Sequence, residues 1–157
     1  MMKYLFLDID GVLNSKEWFR THKSDENIVN YFDPQCVSRV LRILKETGAN
    51  LVISSSWRID SELPAWFRVV GFGDTPFDTT PYFYSREDLT HDQICHLRGY
   101  EISRYIREHE KPESYCILDD DDDFMDSQKE NFIQTSYLIG LTEEDMEKAI
   151  NILNGRK

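Results

Sequence analysis

Three short apolar runs most constrain this chain: Lys3–Leu7, Asn50–Ile53 and Tyr115–Leu118. Each is too short for a helix, and each ends at a polar or acidic residue. Continuous rather than alternating apolar character predicts strands buried on both faces, the pattern of a parallel sheet. Phe132–Thr135 reads as a fourth strand. Amphipathic segments lie between the runs. Asp33-Pro34 predicts a helix start, with Asp33 as N-cap. Val37, Val40, Leu41 and Leu44 form its apolar face, and Gly48 ends it. Ser61 is expected to cap a helix facing inward through Leu63, Trp66, Phe67 and Val70, stopped by Gly71. Tyr100–His109 predicts another, with Ile102, Tyr105, Ile106 and His109 at helical spacing. Thr142 with Asp145 predicts a capping box for a last helix turned inward at Met146, Ala149, Ile150 and Leu153. Residues 72–97, rich in aromatics, Pro and Thr, yield no assignment. Trp66, Phe67, Tyr82, Phe83 and Tyr84 read as core.

Strands alternating with helices predict an α/β fold: a Rossmann-like, three-layer α/β/α domain with a central, mainly parallel sheet. The chain has 157 residues, enough for a single domain over 1–157. No linker or repeat divides it. No apolar stretch approaches the ~20 residues a membrane span needs, and no signal-peptide pattern is visible. A cytoplasmic protein with no membrane partner is expected. Cys36, Cys95 and Cys116 are odd in number and widely spaced, which predicts reduced structural thiols. The net charge of −11 disfavours tight non-specific binding to nucleic acid.

Ligands of parallel sheets sit at the carboxyl ends of the strands. That rule gathers Asp8 and Asp10, Ser54 and Ser55, and Asp119 and Asp120 into one expected site. Arg98 opens a helix returning toward it. The chemistry suits a phosphate ester. One carboxylate attacks phosphorus, and a second donates and then accepts a proton. Mg²⁺ suits such a site because it favours a few carboxylates together with phosphate oxygens. Hydroxyl and guanidinium groups hold the remaining phosphate oxygens. Gly11 permits the turn after the first pair.

Asp8-Ile9-Asp10-Gly11-Val12-Leu13-Asn14 resembles the first motif of the haloacid dehalogenase (HAD) superfamily of phosphatases. Ile53-Ser54-Ser55-Ser56-Trp57-Arg58 resembles its second motif, and Ile117-Leu118-Asp119-Asp120 its fourth. The runs Gly-Val-Leu-Asn, Ser-Ser-Ser-Trp-Arg, Arg-Gly-Tyr-Glu-Ile and Ile-Leu-Asp-Asp-Asp are similar to the HAD domain of Swiss Army Knife RNA repair proteins. The resemblance implies a Mg²⁺-dependent phosphomonoesterase with an aspartyl-phosphate on Asp8. Asp10 would be the general acid/base, with its carbonyl on the metal. Ser54, Ser55 and Arg98 would bind phosphate. Asp8, Asp10, Asp119 and Asp120 would hold Mg²⁺, with Asp123 a further candidate. The superfamily more often carries Lys in the third motif, so Arg104 stands as the alternative to Arg98. The stretches 14–31 and 59–97 are too short for a large cap, so the site is expected to be open to a bulky substrate, such as a nucleic-acid end. The rival from another class is an inactive acidic metal-binding module on the same fold. A response-regulator receiver fits less well, because it places its phosphorylated Asp after a middle strand, where this chain has Ser54.

Overall fold

The computed structural model describes residues 1–22, 27–82 and 88–156. Five strands form one parallel sheet: β1 (Lys3–Leu7), β2 (Asn50–Ile53), β3 (Phe77–Thr79), β4 (Ser114–Asp119) and β5 (Phe132–Gln134), in the order β3-β2-β1-β4-β5. Alternation along the strands divides the core in two. Leu5, Leu7, Leu51, Ile53, Cys116 and Leu118 face one side, where α2 (Pro34–Thr47) and α6 (Glu143–Leu153) pack. Tyr4, Phe6, Val52 and Ile117 face the other, against Ile102 and Tyr105 of α5 (Leu97–Glu108). The expected three-layer α/β/α architecture is the one that forms.

The register aligns the strand ends. Leu7 pairs with both Ile53 and Leu118. Asp8 N donates to the Leu118 carbonyl at 3.0 Å, and Ser54 N donates to the Leu7 carbonyl at 2.8 Å. Asp8, Ser54 and Asp119 therefore leave the sheet side by side.

The predicted caps at Asp33 and Thr142 form, the latter as a full capping box. Three of the expected helices differ in detail. On α2 the buried stripe is Cys36, Val37, Val40 and Ile43, with Leu41 and Leu44 at its half-buried edge. The helix α3 (Leu63–Phe67) has Glu62, not Ser61, at its N-cap and no side-chain cap bond. A turn over Arg68–Phe72 follows it, and helical geometry breaks at Gly71, φ 127°, as expected. Leu63 and Phe67 still bury, because the apolar spacing rather than the cap decides the face. Helix α5 begins three residues earlier than predicted, and His109 sits past its end, exposed and stacked on Tyr105.

The segment 72–97 contains edge strand β3 and the short helix α4 (His91–Cys95). Of the aromatics expected in the core, Phe67 is buried, Trp66 half-buried and Tyr82 exposed; Phe83 and Tyr84 lie outside the described residues. Cys36 and Cys116 are buried thiols, but Cys95 is exposed and has no structural role in the core. Among the described residues, the stretch after β1 carries α1 (Lys16–Thr21) and a 3-10 turn at Ile28–Tyr31. No described helix is long and apolar enough to cross a membrane.

Candidate active site

Asp8, Asp119 and Asp120 each offer a carboxylate oxygen to one cluster, with these atoms within 4.8 Å of one another. Burial raises the Asp8 carboxyl above its usual range, while the nearby Arg98 charge pulls it back. Burial likewise raises Asp119, and the Asp8 charge adds to the effect. Acids crowded this way repel one another unless protonated or neutralised by a cation. Three carboxylates at a half-open strand end fit a hard divalent ion such as Mg²⁺.

The backbone makes room for this cluster at Gly11. Its φ is +81°, and a Cβ there would strike the Asp120 carboxylate. Thr135 Oγ donates to the Gly11 carbonyl at 2.8 Å and fixes the turn. Gly11→Ala is expected to cost about 1–3 kcal/mol, through left-handed strain and displacement of Asp120. It should also weaken Mg²⁺ binding. Thermal unfolding with and without Mg²⁺ measures both effects.

The Asp10 carboxylate is not part of this cluster. Asn14 Nδ2 donates to one of its oxygens at 3.0 Å, and Trp57 Nε1 donates to the other at 2.9 Å. Asn14 is buried, and its Oδ1 accepts the Gly11 N–H at 2.9 Å. One asparagine thus ties the turn to the acid. Trp57 is wedged among Tyr31, Phe32 and Trp66. Tyr31 also lies near Asp10: burial raises its hydroxyl pKa, and the Asp10 charge raises it further. Asp10 is therefore aimed by two donors on a rigid aromatic base. Trp57→Phe keeps the ring packing and removes one donor. If Asp10 has the proton-transfer role the motif resemblance implies, kcat should fall roughly 10-fold with KM little changed. Steady-state kinetics on a phosphate ester reads this directly.

Ser54 is buried, and its hydroxyl has no hydrogen-bond partner. A hydroxyl left so costs roughly 1–3 kcal/mol, offset when a water or ligand oxygen reaches it. Ser55 is differently employed: its Oγ accepts the Trp57 N–H at 3.3 Å and caps the 3-10 turn Ser56–Ile59. Arg98 lies close enough to Asp8 and Asp119 for its charge to favour their ionised forms. Arg104 is on the outer face of α5, bonded to Glu108. Of the two arginines, the fold brings Arg98 to the carboxylates.

Two acids support Arg98. Asp123 accepts the Arg98 backbone N–H at 3.1 Å, and Gly99 N donates to the Asp123 carbonyl at 3.0 Å. Asp123 thus anchors the start of α5 and lies outside the carboxylate cluster. The close approach explains Gly99, where a Cβ would meet Gln128 and the backbone of Phe124 and Met125. Glu101 is 2% exposed. Its Oε2 lies 2.8 Å from Arg58 and 3.6 Å from Arg98. Burial raises its pKa, and both arginines counter that.

The motif residues at one end of a parallel sheet define the class: a HAD-type, phosphatase-like α/β domain. The chain belongs to the family described as the HAD domain in Swiss Army Knife RNA repair proteins, whose model matches residues 4–146. No curated protein and no solved structure matches it significantly.

Proposed function

We propose that the protein is a Mg²⁺-dependent phosphomonoesterase acting through an aspartyl-phosphate on Asp8, with a phosphorylated RNA end as its substrate class. The observation that carries the reading is the division of labour between two acids. Asp8 shares a cluster with Asp119 and Asp120, while Asp10 is held away from it by Trp57 and Asn14.

An Asp8 oxygen forms a bond to phosphorus as the ester P–O bond breaks. Asp10 gives its proton to the departing alkoxide. Asp10 then takes a proton from the water that attacks the acyl-phosphate, releasing inorganic phosphate and restoring Asp8. Ser54 and Arg98 hold the non-reacting phosphate oxygens. When bound at Asp8, Asp119 and Asp120, Mg²⁺ supplies charge neutralisation for carboxylates and phosphate.

The family description supports an RNA substrate, and the small amount of chain between β1 and α2 would suit a large one. One domain suffices for this work, since one sheet carries both core layers. The three free cysteines suit the reducing cytoplasm. Phosphate release from 3′- and 5′-phosphorylated oligoribonucleotides, with Mg²⁺ and with a chelator, tests the reading. Release confined to the Mg²⁺ samples is expected. No release from any ester would leave a metal-binding module on a phosphatase fold.

A further inference from the structure

A cleft of about 360 Å³ is lined by Asp10, Asn14, Lys16 and Phe19 of α1, Tyr31 and Tyr137. We propose that this cleft receives the leaving group, and that it selects alcohols carrying both a planar ring and a second negative charge. The inference rests on the phosphomonoesterase reading and names what that site accepts.

Its place follows from the direction of displacement. The leaving oxygen departs opposite the Asp8 oxygen, on the side of the acid that protonates it. Asp10 lines the cleft, so the alcohol enters there. The inner wall is stiff. Phe19 meets Tyr31 edge-on at 5.0 Å, and Tyr31 rests on Trp57 and the buried Phe32 at 5.0 and 6.0 Å. The outer wall is Tyr137, 59% exposed. Its turn is pinned to the start of α1, where Lys16 N donates to the Tyr137 carbonyl at 2.8 Å and Glu17 N to Leu138 at 3.0 Å. Two aromatic walls tied to one helix make a slot whose faces need little ordering on binding.

Charge narrows the occupant further. Asp10 and Asp120 line the cleft. Lys16 also lines it, is exposed, and makes no ion pair among the described residues, in a chain of net charge −11. A cation with no ion pair among the described residues suits an anion brought by the ligand. A nucleoside with a second phosphate joins both features in one molecule.

The test is a set of four esters assayed in Mg²⁺. A nucleoside 3′,5′-bisphosphate carries ring and second charge. 1-Naphthyl phosphate carries the ring alone, fructose 1,6-bisphosphate the second charge alone, and glycerol 1-phosphate neither. Tyr137→Ala should lower kcat/KM roughly 10-fold more for the two ring-bearing esters, the size of one stacking contact. Lys16→Gln should discriminate by second charge instead. Equal losses on all four, or none, would overturn the proposal. Binding separates this result from the fate of the phosphatase reading. Affinity for the nucleoside bisphosphate, followed by calorimetry on Asp8→Asn protein, should weaken roughly 10-fold when Tyr137→Ala is added. If the protein hydrolyses no ester yet shows that loss, the cleft stands and the phosphatase falls; unchanged affinity removes the cleft.

Discussion

Asp8→Asn should abolish phosphate release and at the same time stabilise the metal-free protein. Loss of the nucleophile should reduce turnover roughly 10³-fold or more. The stability gain comes from the crowding of Asp8 with Asp119 and Asp120. Burial raises the folded-state pKa of Asp8 and of Asp119. The unfolded chain ionises these groups freely, so folding is penalised once they must be charged. For a raised carboxyl the penalty is absent at pH values below the ordinary carboxylate range. It grows as pH climbs through and above that range. Asparagine removes one of the charges and relieves its neighbour. A gain of roughly 1–3 kcal/mol follows, with Tm higher by about 3–10 °C. The gain should be larger at pH 8 than at pH 5. Thermal unfolding in a chelator at the two pH values measures it. Mg²⁺ should raise the Tm of the wild type more than that of the variant, since a ligand stabilises by its affinity for the folded state. A variant that still turns over would move the nucleophile elsewhere.

A stabilising substitution at the centre of a site is the signature of groups assembled for chemistry rather than for folding. The same logic explains what could be read from the sequence. Asp8, Ser54, Asp119 and Asp120 were legible because each ends or directly follows a buried strand, and parallel register alone brings strand ends together. The supports of Asp10 were not. Trp57 lies 47 residues from Asp10 in the chain, and nothing local marks an indole as a donor to a distant acid. Asn14 closes the first motif, and nothing in the sequence marks its side chain as a donor to Asp10. Strand β3 was hidden because Phe-Asp-Thr at a sheet edge lacks a continuous apolar run. Helix α1 was hidden because it buries no residue and so shows no apolar period. Nothing in the sequence distinguishes Glu101 from a solvated charge on an amphipathic helix. Only the fold shows it to be buried, because its partner Arg58 arrives from a different strand end.

Glu101→Ala should be the most destabilising single change near the site. Glu101 and Arg58 each leave 2% of the side chain exposed, and Arg98 leaves 24%. Arg58 is further committed: Nη1 donates to the Ser55 carbonyl at 2.6 Å, Nη2 to Pro81 at 3.2 Å, and its guanidinium covers the Tyr82 ring at 4.7 Å. It cannot swing out to water without undoing the turn after β2. Removing Glu101 would strand that cation in the interior, a loss of about 3–5 kcal/mol. Against a total of roughly 5–15 kcal/mol, such a loss should be plain in the urea midpoint. Glu101→Gln keeps the shape and should cost less. The double variant Arg58→Met with Glu101→Leu separates folding from chemistry. Apolar replacement of a buried pair is often neutral, so stability should return toward wild type. Turnover should not, because Arg98 would have lost the acid that holds its side chain beside Asp8. Recovery of both together would show the pair to be scaffold alone. Recovery of the fold without the rate would make Glu101 a positioning residue for Arg98.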